Sequence, residues 1–258
     1  MHCRLCLNDG KLVKAHAIPE AFFRELREES RAPILISGSS SAFPKKAPIG
    51  VYDEGILCDQ CEPKFGAVDD YGIQVLLKRL HELFIPVATG AGPVAFQASG
   101  VDQDLLLRFL VATLWRAAVS TQAFYRRVQL GPHEGVARHA ILNPQSPLPS
   151  VFGAVLSRWT ADEESQFTSG GLMDPFREKW DGVNAYRIYF GEVVAYVKVD
   201  SQLFRSPLRE IALLAQESTT LVARSLGKSK DMAAMIRTAK ESHKHDKRRR
   251  EYRHARGR

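Results

Sequence analysis

Two short stretches determine the N-terminal section, namely Cys3-Arg4-Leu5-Cys6 and Cys58-Asp59-Gln60-Cys61. Together they contain all four cysteines of the chain, and each pair has two residues between its cysteines. A tight turn of this spacing lets two thiolates reach the same ion, so two such pairs predict one structural zinc site with four thiolate ligands. The alternatives are two independent reduced pairs, or a redox-active Cys-x-x-Cys that would leave the second pair unexplained.

The residues around these pairs predict a small metal-bound module. A turn at residues 8–10 precedes a short strand over 11–16, and Pro19 can begin a helix that continues to Leu26. A second helix is predicted to open at Glu62-Pro63, which places the second pair at a helix start, where the dipole favours thiolate. A cysteine pair, two strands and a helix with the second pair, in this order, predict a treble clef.

The remainder predicts a mostly helical body with a small antiparallel sheet. Residues 88–100 are rich in Gly, Ala and Pro, which indicates a connector. Apolar residues recur at helical spacing over 102–128 and again over 207–226. Residues 185–190 and 193–199 flank Gly191-Glu192 as a hairpin, and 151–159 indicates a further strand. Arg116 lies inside the first of these helices, so we expect it to pair with a buried acid.

The predicted fold class is therefore α+β, in three sections. Residues 1–86 form the zinc-bound treble clef, residues 87–223 form the helical and hairpin body, and residues 224–258 form a basic arm, helical or disordered. The chain shows no apolar segment behind a basic start, and its apolar runs fall short of the ~20 residues that cross a bilayer. We therefore expect a cytoplasmic protein without a membrane partner, in which thiols bind metal rather than form disulfides.

Positive charge is concentrated at the C-terminal end. Residues 224–258 hold 13 Lys and Arg against 4 Asp and Glu, whereas the remainder holds 23 against 25. A basic arm on a near-neutral body predicts a polyanion contact. The candidate nucleic-acid-binding residues in the arm are Lys247, Arg248, Arg249 and Arg250. The alternative is a solvated arm that only aids solubility.

A further pattern lies between and beside the cysteine pairs. The chain reads Ala15-His16-Ala17-Ile18-Pro19 after the first pair, has Asp53 five residues before Cys58, and has Glu62 directly after Cys61. This order resembles the HNH family of zinc-supported nucleases over the stretch from Cys3 to Lys64. That family shows an acidic-His-x-x-Pro strand end, an Asn before the second pair and a His after its last Cys. Ala15, Asp53 and Glu62 depart from that pattern.

The resemblance implies a metal-dependent endonuclease that hydrolyses phosphodiester bonds, with DNA as its partner. His16 would be the general base that activates water, and Asp53 and Glu62 would hold a catalytic Mg²⁺ or Mn²⁺. Apart from the resemblance, Lys64 lies next to the second cysteine pair and is a further candidate for a phosphate contact. Hard divalent cations prefer oxygen ligands, so two carboxylates suit them.

Each of these residues also has a structural interpretation. His16 can bond a loop carbonyl, Asp53 can be an ordinary loop acid, Glu62 can complement a helix dipole, and Lys64 can be solvated. The alternative functions are a non-catalytic zinc module that binds DNA or RNA, and a protein–protein adaptor. The absence of an acid at Ala15 favours the non-catalytic alternative.

Overall fold

A computed structural model of the protein describes residues 2–26, 34–36, 45–47, 49–90, 92–160, 171–180, 182–225, 229–233 and 236–237. The basic residues predicted to bind nucleic acid at positions 247–250 lie outside the described residues. In the part of the chain that the structure describes, no helix combines the length and apolar content needed to cross a bilayer.

The strands are β1 (Leu12–His16), β2 (Ile34–Ile36), β3 (Lys45–Lys46), β4 (Tyr52–Cys58), β5 (Ile85–Thr89), β6 (Gly92–Ala98), β7 (Phe152–Trp159), β8 (Gly171–Met173), β9 (Phe176–Trp180), β10 (Val183–Phe190), β11 (Val193–Val199) and β12 (Thr219–Arg224). The α-helices are α1 (Glu20–Glu25), α2 (Gly66–Ile73), α3 (Leu80–Leu83), α4 (Gln103–Val119) and α5 (His133–Leu142). They are accompanied by short 3-10 helices and one π-helical turn, Gln74–Lys78.

The N-terminal section is built on a two-stranded antiparallel sheet of β1 and β4, in which Leu12 lies opposite Cys58 and His16 opposite Tyr52. Strand β1 confirms the strand predicted over residues 11–16. Helix α1 follows Pro19 directly, which confirms the predicted helix start. The second cysteine pair does not lie on an α-helix. Cys58 is the last residue of β4, and a 3-10 helix (Glu62–Phe65) separates the pair from α2.

The body is dominated by a seven-stranded mixed sheet with the order β5-β6-β12-β7-β11-β10-β9. Strands β12 and β7 are parallel, and the other neighbours in this sheet are antiparallel. The predicted fold class, a treble clef followed by a mostly helical body with a small antiparallel sheet, is therefore wrong. The seven-stranded sheet is larger and of mixed direction, and the cysteine cluster lies at the end of a strand.

Two segments account for the difference between the predicted body and the observed sheet. Residues 88–100, predicted as a connector, contain most of the β5–β6 hairpin at one edge of the sheet. Pro86 lies in the edge strand β5, where one side needs no ladder hydrogen bonds, and Pro93 lies in β6 before Ala95, the first β6 residue that pairs with β12, so both prolines fit. Residues 207–226, predicted as helical, form a 3-10 turn (Leu208–Ile211) and strand β12. Thr219, Thr220 and Val222 are β-branched, which favours the strand.

Helix α4 joins the two sections in one hydrophobic core. Its Phe109 ring lies 6.2 Å from that of Phe22 in α1 and 5.2 Å from that of Phe190 in β10. The cluster of buried side chains is continuous from the cysteines to the centre of the sheet. Helix α4 ends at Val119, earlier than predicted, and Ser120 is extended. The metal-ligand candidates therefore rest on the same core as the large sheet.

Candidate metal centre

The four cysteines lie together at the junction of the N-terminal loop, β4 and the following 3-10 helix. Their Sγ atoms all lie within 4.8 Å of one another. Cys3, Cys58 and Cys61 are buried, and Cys6 is half-buried. Among the residues that the structure describes, this is the only group of three or more His, Cys, Asp and Glu side chains placed to hold an ion. The arrangement can hold a metal ion, as the spacing predicts.

Backbone hydrogen bonds shape both cysteine turns. In the first turn the Leu7 N–H donates to the Cys3 carbonyl at 2.9 Å, and Leu7 adopts a positive φ of 64°. In the second turn the Cys61 N–H donates to the Cys58 carbonyl at 3.0 Å. These hydrogen bonds fix the two turns that bring the four sulfur atoms together.

Helix α5 holds the first turn from outside. The Nε of Arg138 donates to the Leu5 carbonyl at 2.5 Å, and Arg4 lies 3.6 Å from the Glu134 carboxylate. Leu5 itself is fully buried. The cysteine turn is therefore packed into the molecule and does not project into solvent.

Burial and hydrogen bonds shift the pKa values of two of the four thiols in opposite directions. Burial opposes ionisation of Cys3, but N–H groups, including that of Cys58 at 3.4 Å, outweigh it and lower the Cys3 pKa to about 7. Burial, followed by the neighbouring thiols, raises the pKa of Cys61. A cation among the sulfurs would favour deprotonation of all four, since metal binding requires thiolates.

His16 lies at the end of β1 and is half-buried. Its Nε2 donates to the Ile49 carbonyl at 2.9 Å, which is the contact expected of a structural histidine. Burial lowers the pKa of His16 below 6.5, while the Glu20 and Glu62 carboxylates partly oppose this shift. The imidazole is therefore neutral at neutral pH, with Nδ1 as the nitrogen that carries the lone pair.

Asp53 is buried, with 3% of its surface exposed, and its carboxylate accepts four hydrogen bonds. The donors are the Gly55 N–H at 2.8 Å, the Ser120 Oγ at 2.9 Å, and the Thr121 N–H and Oγ1 at 2.6 and 2.9 Å. Burial alone would raise the pKa of Asp53, but these donors lower it below 3.8. Asp53 thus anchors the chain where α4 ends, and an Mg²⁺ ion would have to compete with these donors.

Two further predicted site residues lie at the surface. Glu62 and Lys64 are exposed on the 3-10 helix that follows Cys61. Within the described residues, His16, Asp53 and Glu62 do not form a group that would hold an ion. The structure therefore brings the four cysteines together, but it does not assemble the predicted oxygen ligands of Mg²⁺ or Mn²⁺.

One pairing predicted from the sequence is confirmed, and its partner is now identified. Arg116 in α4 is 4% exposed and donates two hydrogen bonds of 2.6 Å to the Asp69 carboxylate of α2. Its guanidinium also lies 4.6 Å from the centre of the Phe65 ring. Sequence alone could not select Asp69, because 47 residues separate it from Arg116.

Comparison of the chain with protein-family models, curated proteins and solved structures finds no match. The site is therefore interpreted from its own geometry and chemistry.

Proposed function

We propose that Cys3, Cys6, Cys58 and Cys61 hold one structural zinc ion in a protein that binds nucleic acid. The observation that carries the zinc assignment is the set of four sulfur atoms within 4.8 Å of one another. Thiolates select soft or borderline ions, and four of them complete the tetrahedron of a zinc site. A complete tetrahedron leaves no position for water or substrate, so this metal would support the fold.

Native mass spectrometry tests the zinc assignment. Wild-type protein should carry one zinc ion per chain, and Cys58→Ser should lose it and loosen the N-terminal section. Asp59→Asn is the matched control, because Asp59 is exposed within the same turn. A fully folded wild-type protein that contains no zinc would contradict the assignment.

Nucleic-acid binding is supported by charge. The last 35 residues hold 13 Lys and Arg against 4 Asp and Glu. Contacts between cations and phosphates release counterions, so the affinity should fall steeply and log-linearly with salt. Deletion of residues 244–258 should weaken binding to all sequences about equally and reduce the salt slope. Equal affinity of the truncated and full-length proteins at every salt concentration would show that the arm is not involved.

An HNH-type endonuclease is the second candidate, and the observation that favours it is the position of His16 at the end of β1, three residues before Pro19 and between the two cysteine pairs. In this mechanism Nδ1 would take a proton from water, and Glu62 with Asp53 would hold Mg²⁺ or Mn²⁺ only after a rearrangement, because the described residues do not bring His16, Asp53 and Glu62 together around one ion. Asp53 would first have to give up hydrogen bonds to Ser120 and Thr121.

Plasmid cleavage with each metal tests this candidate. His16→Ala should reduce the rate by about 10²–10⁴-fold, the usual effect of losing a general base. Glu62→Gln should raise the Mg²⁺ concentration required, whereas Glu54→Gln, also exposed, should not. Wild-type protein that binds DNA but cuts it with neither metal would contradict the endonuclease candidate and favour non-catalytic binding of nucleic acid.

A further inference from the structure

The seven-stranded sheet has two faces of different chemistry. The face toward α1 and α4 is apolar, with Phe190 against Phe22 and Phe109. On the other face, Arg187 in β10 lies opposite Tyr196 in β11 and opposite Phe176 in β9. Residues opposite one another in adjacent strands share a face. This second face therefore combines arginine with aromatic rings.

A second arginine completes this arrangement at the neighbouring strands. Arg224 at the end of β12 lies opposite Trp159 at the end of β7. Its guanidinium is 5.1 Å from the centre of the Trp159 ring and 5.4 Å from that of Tyr196. The Arg187 guanidinium lies 5.3 Å from the same Tyr196 ring. The two guanidiniums thus flank one tyrosine.

Both arginines converge on a carboxylate that does not belong to the sheet. Asp231 is fully buried, and its carboxylate accepts hydrogen bonds from Arg187 Nη1, Tyr189 Oη and Arg224 Nη2. It is supplied by helical residues 230–233, which follow β12 and place Met232 against the core. Among the described residues, the other acid at this site is Glu178 of β9, which binds Arg187 at 2.6 Å.

The donors around Asp231 would form an anion site without it. In the part of the chain that the structure describes, two guanidiniums would then face one carboxylate, that of Glu178, and the Tyr189 hydroxyl would be a further donor. Burial, and then the Asp231 charge, raise the pKa of Tyr189, so its hydroxyl keeps the proton. The Nη1 of Arg224 is buried and has no hydrogen-bond partner among the described residues, which leaves one more donor at this position.

We propose that Arg187, Tyr189 and Arg224 form a phosphate site for single-stranded nucleic acid, occupied by Asp231 in the free protein. This inference rests on the proposed nucleic-acid function and names its substrate class. The aromatic rings beside the arginines are buried, with Tyr196 2% and Trp159 6% exposed, so they position the guanidiniums and do not stack on bases. Release of Asp231 would open a narrow site, which a flexible single strand can enter more easily than a rigid duplex. A phosphodiester and a carboxylate each carry one negative charge and accept the same hydrogen bonds, so the exchange conserves charge.

The position of Asp231 in the chain couples this exchange to the basic arm. The residues after Asp231 hold 10 Lys and Arg against 3 Asp and Glu. A nucleic-acid strand that is bound by the basic arm therefore has a high local concentration beside residues 229–233, which it must displace. Binding at the sheet face would release residues 229–233 from that face.

Fluorescence anisotropy of a short labelled oligothymidylate tests the site with two variants of equal charge change. Asp231→Asn should increase the affinity about tenfold, since one charge-assisted hydrogen bond contributes on that order. Glu178→Gln adds the same charge but leaves Asp231 in place, so its gain should be much smaller. Adding Arg224→Gln to Asp231→Asn should remove the gain. Equal gains in Asp231→Asn and Glu178→Gln, or no gain in either, would overturn the site.

Hydrogen exchange of the wild-type protein provides a second measurement that needs no stable variant. Saturating oligonucleotide should speed amide exchange in residues 231–233, and unchanged protection there would overturn the site. If neither wild type nor Asp231→Asn binds nucleic acid at any salt concentration, the proposed function itself fails. If the wild type binds but its exchange and its variants do not respond, only the sheet-face site fails.

Discussion

Replacement of Asp53 by asparagine separates the two roles that this residue can have. The side chain keeps its shape, but asparagine has only one oxygen that can accept hydrogen bonds, where aspartate has two. Oδ2 receives three hydrogen bonds, from Ser120 and Thr121, and Oδ1 receives one from Gly55. Asparagine therefore faces at least one buried donor with its own N–H₂ group, and the remaining bonds lose their charge.

The size of the effect follows from these four bonds. Each hydrogen bond to a charged group contributes about 1.5–3 kcal/mol, and an unpaired buried donor costs a similar amount. With at least one bond lost and the others weakened, Asp53→Asn should lower the free energy of unfolding by about 2–4 kcal/mol. Glu54→Gln, which changes the neighbouring exposed acid, should stay within about 0.5 kcal/mol of the wild type.

Urea unfolding measured without added divalent metal provides the assay. A structural Asp53 predicts the full loss in the absence of metal, because its partners are protein donors. A carboxylate reserved for Mg²⁺ predicts the opposite result, since neutralising it would relieve an unpaired buried charge. An Asp53→Asn protein as stable as the wild type without metal would refute the structural assignment.

The pH dependence of this loss has a definite sign. The Asp53 pKa lies below 3.8 in the folded protein, so the carboxylate contributes its full stability above that value. This contribution declines as the pH falls through the folded pKa, where the native carboxyl takes up its proton. The difference between the wild type and Asp53→Asn should therefore narrow in strong acid, if the fold persists there.

Three further predictions concern residues that position the site. Gly72→Ala would place a Cβ 2.5 Å from the buried Phe109 ring and should cost about 1–3 kcal/mol, whereas Gly66→Ala meets nothing within 4 Å and should be neutral or stabilising in thermal unfolding. Asp69→Asn leaves Arg116 buried without its charge partner and should cost about 3 kcal/mol in urea unfolding. An NMR titration should give His16 a pKa below 6.5. The free energy of unfolding should therefore fall as the pH drops below 6.5, because the unfolded chain then takes up a proton at His16 more readily than the native state does.

The elements that the sequence predicted correctly have local signals. Strands β10 and β11 are apolar segments on either side of Gly191, whose φ of 63° suits a tight turn. Pro19 marks the start of α1 at a position where a missing N–H costs nothing. The cysteine spacing likewise predicted a site that a short backbone turn can build.

The missed features depend on distant partners. Strand β5 is exposed along its whole length, so it shows no alternation of apolar and polar residues, and only its pairing with β6 makes it a strand. Strand β12 pairs in parallel with β7, more than 60 residues earlier, and no local pattern encodes that pairing. The same holds for Asp53, whose partners Ser120 and Thr121 lie 67 and 68 residues away.

The position of β4 explains why a metal at the cysteines would act through the fold. Cys58 ends this strand at the metal centre, and Asp53, near its other end, holds the segment after α4. After Cys61 the chain passes through the 3-10 helix Glu62–Phe65 into α2, where Asp69 binds Arg116 of α4. An ion that fixes Cys58 and Cys61 would therefore constrain the C-terminal end of α4 through two contacts, one at Arg116 in its last turn and one at the segment that follows. Because Phe109 of α4 lies against Phe190 of β10, the same constraint would extend to the sheet that carries the arginine and aromatic face.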